Sequence, residues 1–462
     1  MATYKTPGVY VEEANYLSQS INTVPTAIPA FIGYTQKAQL HLADDLKILP
    51  KKIRSLQDYE LYFGLPMFET GISIMFDTNS SDDIKATVKI ENAAPYLMHY
   101  SLQLYFANGG GPCYIVSIGG YNINPEIVAA DLEIGLAAIA NANESTLLLF
   151  PDAMHLSSAE QYYQLYNKAM LQCALLKNRF TIMDVWVDNN ATTNPIALLR
   201  DYAFTPVEIL KYGAAYYPAL STTIKYIFQD KFVSIISTSN SPISSTLGQL
   251  MLSDISLYDL AKNALNKEPM ILPAACAVAG VYVQVDNTRG VWKAPANINI
   301  AAVEKPTLPI TTRDQESLNV DGATGRSINA IRSFTGRGTA IIWGARTLMG
   351  NDNEWRYIPV RRFFNTVEAS VKSGIEQLVF EPNDANTWKM AKTMTENYLH
   401  QLWREGALAG SKPTEAFFVN AGISQPMTAL NILEGRMIIE IGMAVVRPAE
   451  FIILRIEQKM LT

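Results

Sequence analysis

Residues able to do chemistry are few in this chain and widely separated. Four histidines stand among 462 residues, His41, His99, His155 and His400. None has a second His, Cys or Glu at the spacing a tetrahedral metal site requires. The cysteines Cys113, Cys173 and Cys276 are three in number and far apart. They build no disulfide framework, and each lies in apolar sequence, where a buried thiol is the ordinary occupant. Cys113 follows the glycines 109–111, so a turn could present it for attack, but no neighbouring cation is there to lower its pKa. There is no G-x-x-x-x-G-K-[ST] phosphate loop and no G-x-S-x-G nucleophile turn. Gly109-Gly110-Gly111 leads into a strand and not a helix N-terminus, and it reads as a turn, as does Gly336-Arg337-Gly338. These residues assign no catalytic, metal or cofactor site. An α/β enzyme with an unrecognised active site stays open, and a deep pocket lined by ionisable residues of strongly shifted pKa would favour it.

Arg361 and Arg362 stand apart from this pattern. Both fall in the first turn of an expected helix, where the helix dipole favours acids. They read either as a local salt bridge with Glu354 or as a contact with an acidic partner surface.

Hydrophobic residues make up 48% of the chain and charged residues 17%, against roughly 25% charged in an average soluble domain. Such a chain has either a thick core or extra apolar surface covered by neighbours. The net charge is −6, and the absence of any block of like charges argues against nucleic-acid binding. MATYKTPGVYVEE has no apolar signal region, and Pro273–Val285, the longest nearly uncharged apolar run, is short of the roughly 20 residues that span a bilayer. The expectation is assembly in a reducing cytoplasm, with any extracellular role reached through lysis.

Stepping outward from these residues, the first 20 read as an extended arm. Pro7 and Gly8 resist helix, and Val9 and Val11 alternate with Tyr10 and Glu12 in one short strand. A strand detached from its core needs a sheet edge to satisfy its backbone, and another subunit can supply one. Ala27–Tyr34 is a compact apolar strand. A polar run, Asp77–Asp83, marks a small surface insertion near 66–95. Strand candidates at Cys113–Ile118, Leu147–Phe150 and Thr181–Val187 alternate with helical sequence at 158–178, which is the pattern of an α/β region. Residues 286–350 are rich in turn signals, and Thr339–Trp343 reads as a strand.

Two helices then become readable. The first begins at Pro359, with Val360, Phe363, Phe364, Val367, Val371, Ile375 and Leu378 on its apolar face and Arg361, Asn365, Glu368 and Lys372 opposite. The second follows the N-caps Asn383 and Asp384, carries the stripe Trp388, Ala391, Met394, Tyr398 and Leu402, and ends at Gly406 and Gly410. Strands are expected at Met437–Val446 and at Phe451–Ile456.

Four blocks resemble the tail sheath proteins of contractile injection systems. They are YKTPGVYVEE running into AIPAFIGYT; LQDYELYFG with SLQLYFANGGGPCYIVSIGGY; RTLMGNDNEWRYIPVRRFFNTVEASVKSGIEQLVFEPNDANTW; and WREGALAGSKPTEAFFV. The second is similar to the antifeeding-prophage and virulence-cassette subgroup, and residues 120–320 depart most. The resemblance implies a mixed α/β (α+β) sheath fold with extended N- and C-terminal arms. It implies an arm at 1–20, an outer and middle part at 21–350, and an inner part at 351–462. Stacked hexameric rings would surround an inner tube protein, with baseplate and tail-terminator (cap) proteins as further partners, and would contract without a nucleotide. Pro7, Gly8, Val9, Tyr10, Val11 and Glu12 would form one donated strand, and Phe451, Ile452, Ile453, Leu454, Arg455 and Ile456 the other. Lys389, Lys392 and Arg404 on the second helix are the candidate tube contacts, with Arg361 and Arg362 as rivals. Neither nucleic acid nor membrane insertion is expected. A baseplate-proximal or surface-layer component is the structural alternative.

Overall fold

In a computed structural model of the chain, the residues described are 20–77, 84–91, 93–122, 125–188, 193–237, 245–423, 426–451 and 453. The strand expected at Pro7–Glu12 lies outside them, as do Ile452, Leu454, Arg455 and Ile456. Two compact units are formed. The larger holds Pro25–Thr366 and the chain from Arg447 onward; the smaller holds Val367–Val446 and the chain up to Val24.

The larger unit is organised by nine strands: β1 (Pro29–Gly33), β2 (Lys51–Ile53), β3 (Cys113–Ser117), β4 (Leu147–Leu149), β5 (Phe180–Asp184), β6 (Gly213–Tyr217), β7 (Ile298–Asn299), β8 (Ile328–Phe334) and β9 (Gly338–Trp343). They form one sheet in the order β7-β9-β8-β6-β5-β4-β1-β3-β2. The run from β8 to β3 is parallel throughout, and β2, β9 and β7 add antiparallel at the two ends. The register sets Phe31 beside Ile115 on one side and Leu149 on the other.

Alternation along each strand divides the core into two. Phe31, Ile115, Leu149, Ile182 and Tyr216 face one layer, together with α1 (Met98–Ala107) and α4 (Ala275–Arg289). Ile32, Val116, Leu148, Met183 and Ala215 face the other, with α2 (Ala129–Ile139) and α3 (Ala159–Leu176). With both faces covered, the strands read as nearly unbroken apolar runs, which is why LLLF and FTIM stand out in the sequence. Each large apolar side chain buried here contributes about 1.5–3 kcal/mol before chain entropy is counted.

The segment near 66–95 is only half of its layer. Ile72–Asp77 and Lys85–Ile90 pair as a hairpin, and Ser234–Ser237 adds parallel to the first of them, followed by Ser245–Thr246. Ile72, Ile74 and Phe76 pack against Val233, Ile235, Leu247, Leu250, Ala261 and Leu265. Two helices from the later segment, Leu247–Ser253 and Ile255–Lys267, complete this layer, which extends beyond the surface insertion expected near 66–95.

The helix α5 (Ile358–Ile375) carries the chain across the division at Thr366. The smaller unit continues with α6 (Ala385–Arg404), β10 (Phe417–Asn420) and β11 (Glu440–Met443). Asp384 caps α6 as expected, accepting from the amides of Asn386 and Thr387, and Trp388, Ala391, Met394, Tyr398 and Leu402 are buried along it. The strand expected over Met437–Val446 is shorter. β11 pairs with β10 only from Glu440 to Met443, and beyond it Val445 and Val446 turn to Leu408 and Ala407 instead.

Candidate functional site

Counted in chain order, the parallel strands lie in space as 2-1-3-4-5-6, so the order reverses between β1 and β4. Open α/β sheets bind their ligands outside the carboxyl ends of the strands at such a reversal. Two aspartates stand at this edge, and neither was singled out in the sequence. Asp152, three residues past β4, is fully buried. One of its carboxylate oxygens accepts from the Tyr34 amide at 2.8 Å and the other from the Leu97 amide at 2.6 Å, at the N-terminus of α1. Gly33 makes room for it, since a Cβ there would lie 2.4 Å from the Asp152 carboxylate. Asp184, the last residue of β5, accepts from the amides of Ala274 at 2.6 Å and Ala275 at 3.1 Å, at the start of α4. Burial pushes both carboxyls up to about 7, with the amide donations pulling the other way. Perturbed carboxylates at a sheet's carboxyl edge are the signature of an active site. Here Asp184 caps free amides at the N-terminus of α4, and Asp152 ties the N-terminus of α1 to the Tyr34 amide past β1.

The three thiols and one of the four histidines are likewise enclosed. Cys113, Cys173 and Cys276 are free and buried; burial raises all three thiols, Cys173 to about 12. His99 is buried against Glu60 at 3.0 Å, and desolvation lowers its pKa. Among the described residues no group of three His, Cys, Asp or Glu is placed to hold a metal ion, and no helix is long and apolar enough to cross a membrane.

Arg361 and Arg362 are both inside the larger unit, each 3% exposed. Arg362 grips Asp286 through two hydrogen bonds, at 3.0 and 2.5 Å, and donates to the Thr26 carbonyl at 3.1 Å. Arg361 lies 4.4 Å from the centre of the Trp355 ring and donates to Asn365. The ion pair of Arg362 is therefore with Asp286, not the Glu354 considered from the sequence. The side of α5 opposite its apolar face is buried at Arg361 and Asn365, and only Glu368 and Lys372 of that set reach water.

The remaining cationic candidates lie on α6. Lys389 and Arg404 are exposed, and Lys392 is half-buried, 3.8 Å from Glu396. At about 100° per residue the three fall within one 120° sector of the helix.

The foot of the N-terminal arm is held in the smaller unit. The Val24 amide donates to Ser370 at 3.0 Å, Thr23 donates to Tyr398 at 3.4 Å, and Ile21 packs where Gly374 lacks a side chain. In the same unit β10 and β11 form a ladder of two strands. Phe418 faces Gly442 across it, its ring lying where a Gly442 side chain would stand, and the ring is half exposed. Among the described residues neither strand has a further partner along the ladder. At the other terminus Phe451 and Ile453, two residues apart, are 71% and 79% exposed.

Comparison with known proteins gives a consistent picture. Residues 350–459 match the family model for the phage tail sheath C-terminal domain. The whole chain superposes on the helical sheath of the anti-feeding prophage in its contracted state, with 31% identity over 99% of this chain and 100% of that one, at a TM-score of 0.65. It is similarly related to the contracted sheath complex of the PVC extracellular contractile injection system, with 29% identity, 99% of both chains and a TM-score of 0.64. A stretch of 129 residues is 28% identical to the tail sheath protein of Enterobacteria phage T4, covering 28% of this chain and 19% of that protein.

Proposed function

We infer the role of this chain from the family to which it belongs, the tail sheath proteins of contractile phage-tail-like systems. It is a structural subunit of such a sheath. We propose that copies polymerise as stacked hexameric rings around an inner tube protein, between a baseplate and a tail terminator, and contract to drive that tube through a target envelope. Assembly takes place in the bacterial cytoplasm, and the finished particle acts outside it.

The observation that carries this reading is the ladder of β10 and β11. A two-stranded sheet is marginal in water and its free edges invite further strands. The arm ahead of Ser20 and the segment beyond Glu450 each contain an alternating apolar run suited to such an edge. Strand addition of this kind supplies main-chain hydrogen bonds for affinity and alternate side chains for register. A contact in which each copy gives a strand to the next is heterologous, and it builds an open helical polymer unless the rotation closes.

Lys389, Lys392 and Arg404 are the tube contacts we propose, on the exposed face of α6. Arg361 and Arg362 are withdrawn from that role, because their cations are already enclosed and partnered within the chain. We further propose that the protein catalyses no reaction. The capping roles of Asp152 and Asp184 support this, since both buried carboxyls are already engaged by main-chain amides of the fold.

Negative-stain electron microscopy of the purified protein, alone and with its inner tube protein, tests the proposal. Hollow helical cylinders wider than a bare tube are expected. Monomers or small closed rings under all conditions would overturn it, rings pointing to a baseplate component.

A further inference from the structure

The described part of the C-terminal segment is fastened to the larger unit at one residue. Past Val446, whose amide still bonds Ala407 in the smaller unit, the chain belongs to the larger unit from Arg447. There the Glu450 carboxylate enters a socket. One oxygen accepts from Arg346 Nε at 2.9 Å and from the Asn319 side-chain amide at 2.6 Å. The other accepts from Arg346 Nη2 at 2.6 Å, from Arg346 Nε at 3.2 Å and from the Tyr357 hydroxyl at 3.1 Å.

The socket is built independently of its occupant. Arg346 is buried, and its Nη1 is held by the carbonyls of Gly350 at 3.1 Å and Asn319 at 3.3 Å. Its main chain exchanges hydrogen bonds with the Asn329 side chain, both at 2.8 Å, and forms a bridge with Tyr357. A guanidinium fork held this way recognises a carboxylate in two-point fashion and tolerates little else. One residue beyond this fixed point the chain turns outward, with Phe451 and Ile453 exposed at the two-residue period of a strand.

We propose that the Arg346 socket is a mooring: by gripping Glu450 it fixes where the C-terminal strand leaves the subunit and passes the pull of a second copy of this chain into the nine-stranded sheet. This rests on the reading that the strand beyond Glu450 is donated to a neighbour. A tether that starts at a fixed residue keeps its free end concentrated near the acceptor, and lengthening it dilutes that end. Pull on the strand reaches Arg346, whose main chain is held by the Asn329 side chain of β8, and is not carried only through the loop from β11.

The test uses the full chain and sedimentation of assembled polymer across protein concentration. Glu450→Gln keeps the size and the contact with Asn319 but removes the charge from the Arg346 fork. It is expected to leave the monomer folded by circular dichroism, to raise several-fold the concentration at which half the protein pellets, and to give cylinders that break into short pieces in mild urea. Should Glu450→Gln fail to fold, Tyr357→Phe and Asn319→Ala remove outer partners singly and are expected to shift the same curve less. A chain ending at Glu450 is the control, and in that background Glu450→Gln is expected to add nothing. If Glu450→Gln assembles like the parent while the shortened chain fails, the mooring is refuted and strand donation stands. If the shortened chain assembles and contracts normally, strand donation itself is refuted.

Discussion

Removing Asp286 should damage the larger unit far more than removing an exposed acid. The Arg362–Asp286 pair is nearly sealed from water, with side chains 3% and 1% exposed. Among the described residues, Asp286→Ala leaves the Arg362 guanidinium the Thr26 carbonyl and the face of Tyr282, whose ring centre is 4.7 Å away. A buried charge stripped of its partner costs about 3–5 kcal/mol. With about 2.1 cal/mol/K of unfolding entropy per residue, a chain of this length should melt roughly 3–5 °C lower. Arg362→Met should cost a similar amount by stranding Asp286. The double change Asp286→Leu with Arg362→Met should recover most of the loss, because replacing a buried pair by apolar groups of like volume is often neutral. With Asp286→Leu as the matching single change, thermal unfolding of the parent, the two single variants and the double completes the cycle, and a coupling of about 2 kcal/mol or more is expected. Co-sedimentation with the inner tube protein supplies the contrast. Were Arg362 a tube contact after all, Arg362→Met would melt within about 1 °C of the parent and lose the tube, and that result would refute the reasoning.

Stability should also carry a signature of the two capping carboxylates. With folded values near 7 against 3.8 in the open chain, Asp152 and Asp184 bind protons more tightly when folded. The stability tied to them is therefore complete below about pH 4 and is lost as pH rises through 7. Asp184→Asn should flatten the fall in urea stability over that window, by an amount on the order of 3–4 kcal/mol at most; an unchanged slope would remove the role assigned to its burial. Reversing Lys389, Lys392 and Arg404 together to Glu should abolish tube co-sedimentation while moving the melting temperature by little more than a degree, as surface changes do; retained binding would clear α6 of that contact. Deleting Ala2–Asn15 should leave a folded monomer that makes no linked cylinders, and cylinders that still form and contract would exclude the N-terminal arm.

Elements written in a strong period were legible. The alternation of strand and helix from Cys113 to Val187 led directly to β3, β4, β5 and the long helix α3, and the stripe from Trp388 to Leu402 to the buried side of α6. Three features escaped for physical reasons. The helix α4 is apolar nearly all round because it is buried on most sides, so Pro273–Val285 shows composition without a stripe. The layer built on the Ile72–Asp77 and Lys85–Ile90 hairpin takes its remaining two strands and both helices from residues 234–267, and such a join leaves no local trace. α5 shows a clear stripe, yet the start of its polar side is buried too, since Arg361 and Asn365 find partners in Trp355 and the Arg179 carbonyl.

The same division governs the candidate sites. Whether a charged residue is a surface contact or an internal fastening depends on what lies opposite it, and for Arg362 that is Asp286, 76 residues earlier. The sequence did hold a usable signal in LLLFPD and TIMD, where a lone acid closes an apolar strand. An acid at that point is taken from water by its neighbours, so it must meet amides, a cation or a ligand. At this sheet edge the helix N-termini of α1 and α4 already stand there as donors. Once they have taken the carboxylates, the position that open α/β sheets reserve for ligands has become part of the scaffold. A chain with 17% charged residues also has apolar surface that burial between copies could use.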